Sequence, residues 1–390
     1  MKKRFGQRAA AIASVLTVLS GFCFPLQAWA ASPPFAYTEE EWALLRDDIL
    51  EFSEIENLVH EYNTTVKQNA ISYKDYQGKD SNEIAQEYYD AAEEIYDSQP
   101  DLDPDSSSYA SDLSSYIKNE QTADSMKESG DSSVDDEDTI KWGYTQEEKE
   151  LVSQAQELMI SYWNSMEKLS ALRQELYEAQ RNETSLKTKA EAGMATQSEV
   201  LTAGQAVLTA QSEITSAEST LEKTKNSLIL MLGWDYGDSV EIKKLPEPDL
   251  ESIDCVQLEN DLNTAAENNY DLKILKKQLQ NARSSSVEAS VREKIASGEK
   301  AVRSNVTTAY QSLMLARNQY IQAVNSLSLK EQELETAKRK KEAGLLSENN
   351  YQTTVSSCET AESEKQTAAY SLLAAKLEYD WQVGGLASAS

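Results

Sequence analysis

Apolar residues recur along this chain with the period of an α-helix. From about Thr145 to Ala192, Leu151, Ala155, Leu158, Tyr162, Met166, Leu169, Leu172 and Leu176 follow one another at three- and four-residue intervals. That spacing gathers them on one helical face. Beyond Gly193 the rule is stricter. Val200, Val207, Ile214, Leu221 and Leu228 fall at every seventh position, and Ala203, Ala210, Ala217, Thr224 and Met231 form a companion row three residues on. Two such rows are the a/d seam of a coiled coil, and alanine in the second row lets a partner backbone come close. The pattern predicts tight antiparallel helix packing rather than a parallel zipper.

The pattern repeats. Lys189-Ala190-Glu191-Ala192-Gly193 matches Lys340-Lys341-Glu342-Ala343-Gly344 at an offset of 151 residues, and Ala210, Ala217 and Leu221 meet Ala361, Ala368 and Leu372 at the same offset. Gly233 meets Gly384, again without a gap. Glycine after a basic helix end is a helix stop, because it alone enters the left-handed region cheaply. Thr196 or Ser198, and Ser347, can cap the helices that follow. Each repeat therefore reads as helix, tight turn at Gly193 or Gly344, and returning helix.

The helices leading into the two turns differ. In the second repeat a helix is expected from about Val256 to Glu342, with no breaker but Gly298. In the first, helix is expected over 38–74 and 145–192. Gly344 lies 75 residues after Asn269, whereas Gly193 lies 130 after Asn63, the weakly similar position. The excess of 55 is about the size of the intervening acidic segment. Residues 75–140 hold 20 Asp and Glu against 3 Lys and Arg, with tyrosines but few aliphatic side chains. Such composition predicts a largely disordered insert. Asp101-Leu102-Asp103-Pro104-Asp105 has the carboxylates of a calcium loop but neither its glycine nor its distal glutamate, and reads as solvated linker.

Composition narrows the fold further. Gly numbers 13 and Pro 7 in 390 residues, with no Pro between Pro104 and Pro246 or after Pro248. Sandwiches, barrels and doubly wound folds need more turns than that. The chain is expected to be all-α. At the N-terminus, Lys2, Lys3, Arg4 and Arg8 precede an apolar run over 9–24, and Ala28-Trp29-Ala30 offers a small-x-small cleavage site. This predicts a secretory signal over 1–30. Cys23 follows Phe22, where a lipid-anchor signal wants a small residue. The divisions expected are thus 1–30 signal, 31–74 first helix, 75–140 acidic insert, 141–234 first hairpin, 235–255 linker and 256–385 second hairpin.

Charge and side-chain chemistry exclude whole classes. The chain carries 37 Lys and Arg against 66 Asp and Glu, net −29, and loses four of its cations if the signal is removed. Nucleic acid is excluded as a partner, since phosphate binding runs on Lys and Arg contacts. No transmembrane helix is expected after the signal. A single histidine, His60, forbids His-based triads and His-rich metal sites. Glu56 and His60, one turn apart, read as a surface pair. No glycine-rich phosphate loop is present. No cofactor and no enzyme activity are expected. Cys255 and Cys358 are either a pair or two unrelated small hydrophobes.

Between the repeats stand Met231-Leu232-Gly233-Trp234, then Leu245-Pro246-Glu247-Pro248, then Ala265-Ala266-Glu267-Asn268-Asn269-Tyr270-Asp271-Leu272-Lys273. Tandem hairpins with this helix end, Pro-bearing linker and helix start resemble the TolC family of outer-membrane efflux proteins, over about 38–74 and 145–384. Ala192 to Leu201 is similar to that family's hairpin tip. The resemblance implies an oligomer, a trimer in the family, that forms a helical tube in the cell envelope. It also implies that the tips at Gly193, Met194 and Ser198, and at Gly344, Leu345 and Ser347, dock a membrane-fusion-type adaptor of an inner-membrane or ABC transporter. The acidic residues that narrow the family's pore align with Asn350 and Thr353, neither of which is acidic. Family members insert barrel strands into each repeat. Neither 281–310 nor the acidic segment shows strand alternation. The alternative function is a coiled-coil scaffold of the envelope with no pore, and a third is a spacer joining a transporter to the wall. At the tips, Met194 and Leu345 are expected either to stand free as a contact site or to fold back over the last heptad.

Overall fold

The structure is a computed structural model that describes residues 37–45 and 47–389. The expected secretory signal, with Cys23, lies outside them. Two compact units result, one built on Ile71–Trp142 and Ile274–Ile295, the other on Glu39–Ala70, Gly143–Lys273 and Ala296–Ser390. The helices in chain order are α1 (Glu39–Leu44), α2 (Ile55–Tyr62), α3 (Thr64–Tyr73), α4 (Ser81–Asp97), α5 (Tyr109–Ser132), α6 (Glu137–Glu191), α7 (Gln197–Met231), α8 (Leu250–Asp254), α9 (Leu258–Asn268), α10 (Tyr270–Asn281), α11 (Ser285–Glu342) and α12 (Glu348–Trp381). Among the described residues the only strands are β1 (Ile49–Leu50) and β2 (Glu241–Ile242), paired in parallel. The chain is all-α with tandem hairpins, as its periodicity predicts. None of the described helices is long and apolar enough to cross a membrane.

In the second unit the long helices lie side by side. Arg173 reaches Glu218 at 3.0 Å, joining α6 to α7. Gln174 donates to Ser356 and Arg181 to Asn349, both at 3.0 Å, joining α6 to α12. Lys341 meets Glu348 at 2.9 Å, and the Tyr310 and Tyr379 rings meet at a tilt with centroids 6.1 Å apart, joining α11 to α12. The row runs α7, α6, α12, α11. In each pair the residue numbers rise on one helix as they fall on the other, so neighbours are antiparallel. Val200, Ala203, Val207 and Ala210 are buried, confirming the start of the heptad seam, and Leu228 closes it at 0% exposure. The core thickens toward the helix ends remote from the turns, where Leu50, Ile55, Leu58, Val59, Met159, Ile229, Leu232, Leu272, Leu313 and Leu372 are fully buried. The linker is pinned there: Trp163 donates its indole N–H to the Lys243 carbonyl at 2.9 Å.

Two sequence expectations are corrected. No single helix spans Val256 to Glu342. The chain breaks at Asn269, whose ψ of 123° is extended, and again before Ser285, where the Ser284 hydroxyl accepts the Val287 N–H to start α11. The first repeat breaks likewise at Asn63, with ψ 131°. The left-handed glycine that ends the second repeat is Gly385, φ 118°, not Gly384. A π-turn over Gln382–Leu386 adds one residue before the stop.

The larger correction concerns the first unit. The acidic segment is a helical hairpin, not a disordered insert. Asp80 caps α4, accepting from the Asn82 and Glu83 N–H groups, and Glu83 returns a bond to the Asp80 N–H. Tyr89 donates to Asp131 at 2.8 Å and Tyr96 to Asp124 at 2.5 Å, so α4 and α5 run antiparallel. Ala85, Ala92, Ala123 and Gly130 are buried along the seam. Small residues at a seven-residue spacing let the backbones approach, which replaces the missing aliphatic bulk with dispersion contact. A Cβ on Gly130 would lie 2.6 Å from the Tyr89 ring. Arg283 fastens both ends, donating to the Gly130 carbonyl at 3.1 Å and the Ser81 carbonyl at 2.5 Å. The run Asp135-Asp136-Glu137-Asp138 is a helix start. Asp136 accepts the Thr139 N–H and the Asn281 amide, and Lys277 lies 3.3 Å away. Burial alone would raise the Asp136 pKa, but these partners outweigh it and hold the carboxyl below its ordinary range.

Candidate functional site at the hairpin tips

The two tips are built by the same local rules. At the first, Gly193 takes φ 71°, its N–H donates to the Ala190 carbonyl at 3.0 Å, and the Met194 N–H reaches back to Lys189 at 2.7 Å. At the second, Gly344 takes φ 72°, its N–H donates to Lys341 at 2.9 Å, and the Leu345 N–H reaches Lys340 at 2.8 Å. This doubled closure is a Schellman motif, and it satisfies carbonyls that a helix end would otherwise leave open. Lysines in both last turns complement the negative helix end.

Five residues then lead to the next helix in each repeat. Thr196, not Ser198, caps α7: its hydroxyl accepts the Glu199 N–H while Glu199 accepts the Thr196 N–H at 2.6 Å. Those bonds hold the Glu199 carboxyl below the usual range. Ser198 lies exposed in the first turn, where its carbonyl takes the Thr202 hydroxyl at 3.0 Å. Ser347 caps α12 through the Asn350 N–H. Glu348 accepts from Gln352 and Lys341, which lower its pKa, and the Lys341 ammonium also sits 4.0 Å above the Tyr351 ring.

Rigid backbone therefore carries free apolar side chains. Met194 is 73% exposed and Leu345 77%. Neither folds back over the last heptad. Leu346 is half-buried. Further apolar surface, absent from the sequence expectation, lies on α7. Leu201 and Leu208 are 66% and 67% exposed, seven residues apart and seven beyond Met194. Each sits one residue past the buried Val200 or Val207, hence about 100° around the helix. The signal was present as a second seven-residue row beside the first. The other edge helix, α11, exposes Leu315 and Leu329.

The remaining candidate chemistry is dispersed. His60 pairs with Glu148 of α6 at 2.6 Å rather than with Glu56. Among the described residues no group of three or more His, Cys, Asp or Glu could hold a metal. Cys255 and Cys358 are both free, the first exposed.

No family model matches this chain, and no curated protein matches it in sequence. Solved structures do match in fold. A membrane protein from Pseudomonas aeruginosa is 13% identical with a TM-score of 0.54, covering 86% of this chain and 91% of that one. The outer-membrane channel OprN is 10% identical with a TM-score of 0.50, covering 88% of this chain and 92% of that one. At the level of fold the likeness to the TolC family holds.

Proposed function

We propose that this chain is the conduit subunit of an export system in the cell envelope, with copies joined edge to edge and hairpin tips that hold an adaptor. The carrying observation is the pair of apolar side chains, Met194 and Leu345, about three-quarters exposed on helix ends closed by paired backbone bonds at Gly193 and Gly344. An apolar group that covers nothing of its own is a contact surface. Leu201 and Leu208 extend that surface along α7 in the spacing an amphipathic partner helix would meet. The row α7, α6, α12, α11 has α7 and α11 at its ends, and both expose leucines. Lateral association of copies would cover them, as the family resemblance implies for a trimer. The neighbours in fold are an outer-membrane channel and a membrane protein, which supports transport rather than catalysis and an envelope location.

A scaffold without a pore is the second reading. It is favoured by the strands: among the described residues the only ladder is the two-residue pairing of β1 with β2. One experiment separates the readings. Native mass spectrometry of the exported protein, with and without its membrane-fusion-type adaptor, is expected to show a closed oligomer that captures the adaptor. Met194→Asp with Leu345→Asp should abolish capture and leave the melting temperature nearly unchanged. A monomer that captures nothing supports the scaffold. Capture unaffected by the double substitution removes the tips as the interface.

A further inference from the structure

The second unit contains a groove that the tips do not use. It lies between α6 and α12, has a volume of about 560 Å³, and is floored by Ile160, Ala374 and Ala375. Glu157 and Glu378 line it, and Lys168 is the one cation on its wall. Burial, with the Glu378 charge beside it, pushes the Glu157 pKa up. One buried acceptor in it lacks a donor, and a second lies next door. The Asn164 side-chain oxygen in the groove, and the Gln382 side-chain oxygen in the adjoining pocket that shares Glu378, are buried with no hydrogen-bond partner. Turning the Gln382 amide over does not help, because its Nε2 already donates to Glu378 Oε1 at 2.5 Å. The exchange would set two oxygens against each other.

Two carboxylates, the open Asn164 oxygen and an aliphatic floor call for a ligand that donates several hydrogen bonds, carries positive charge and has a hydrocarbon body. A bare divalent cation fits poorly, since it wants six or more oxygens and no trio of anionic ligands forms among the described residues. An ammonium group has three donors and no acceptor. We propose that the groove between α6 and α12 binds an aliphatic amine, its ammonium against Glu157 and Glu378 and its methylenes over Ile160, Ala374 and Ala375. Charge-assisted bonds give the hold, and the small alanines give the room.

The test is calorimetric titration of the full chain with the linear diamine cadaverine. One site per chain is expected. Glu157→Gln with Glu378→Gln should weaken it by at least about tenfold. Glu213→Gln with Glu251→Gln, exposed positions away from the groove, should not. Ala374→Leu fills the groove while keeping both carboxylates, and should block binding with the melting temperature retained. Equal weakening by the two glutamine pairs would mean diffuse attraction to an acidic surface and would overturn the proposal. So would undetectable heat at millimolar diamine, binding unaltered by Ala374→Leu, or displacement of the diamine by equimolar calcium.

Discussion

Asn63 and Asn269 do the same work in the two halves of the chain. Each ends a short helix in extended conformation, caps the next with its side-chain oxygen, and donates its amide to a carbonyl at the close of its own repeat. Asn63 accepts from the Thr65 N–H at 2.9 Å and donates to the Met231 carbonyl at 2.9 Å. Asn269 accepts from the Leu272 N–H at 2.9 Å and donates to the Gly385 and Ala387 carbonyls at 3.2 and 2.5 Å. The repeat is thus closed on itself by one side chain that needs both a donor and an acceptor.

Asn269→Ala should therefore cost about 2–3 kcal/mol, because Asn269 is fully buried and its partners lose their only replacement for water. Asn63→Ala should cost less, since that site keeps 7% exposure. Urea melts followed by circular dichroism check the order. Aspartate, which accepts but cannot donate, should rescue neither. Equal, negligible losses would show the two asparagines to be ornamental.

The four stop glycines divide into two kinds. A Cβ on Gly193 or Gly344 meets open space, so alanine there carries only the left-handed penalty of about 1 kcal/mol. At Gly233 a Cβ would lie 2.4 Å from the Tyr62 Cβ, and at Gly385 2.7 Å from the Asn268 carbonyl oxygen. Alanine at either is expected to cost about 3 kcal/mol, strain and overpacking together. Melting temperatures of the four single variants should fall into two pairs.

His60 supplies the pH dependence. The hydrogen bond to Glu148 raises its pKa above the ordinary value of 6.5, against burial that lowers it. A raised folded-state pKa stabilises fully below the unfolded value and fades as pH rises through the folded one. Melting temperature should decline from about pH 6.5 upward, and Glu148→Gln should flatten that decline. The side chain is 52% exposed, so the effect is expected to be small. A slope identical in the variant would rule the pair out as its source.

The hairpin of α4 and α5 makes the opposite prediction from a disordered insert. Replacing residues 80–135 by a short Gly-Ser link should lower total helical ellipticity in proportion to the helix removed. Gly130→Leu in the intact chain should spring the seam and expose it to proteolysis. If ellipticity per residue rises on deletion instead, the segment is not helical in solution.

Much of this was legible beforehand. The turns at Gly193 and Gly344 and the all-α fold follow from apolar rows and two glycines, because helix ends and heptads are local rules; the repeat offset of 151 does not reach the last stop, which falls one residue late at Gly385. What escaped is instructive. Helix α5 buries only Ala123 and Gly130, so aliphatic count hid it, although Ala85, Ala92, Ala123 and Gly130 already stood in seven-residue steps. Arg283, about 150 residues away, completes the hairpin, and no local pattern announces a partner at that distance. The leucines at 201 and 208 are masked for another reason: they sit next to the buried row and share its period. The breaks at Asn63 and Asn269 depend on carbonyls more than a hundred residues off.

The Glu137 N–H donates to the Lys79 carbonyl at 3.2 Å, so the chain leaves the α4–α5 hairpin hydrogen-bonded to the residue by which it entered. A segment with touching ends is a cassette. It can be lengthened, exchanged or lost over evolutionary time without moving the backbone on either side, and the same junction will accept a foreign domain whose termini lie close together.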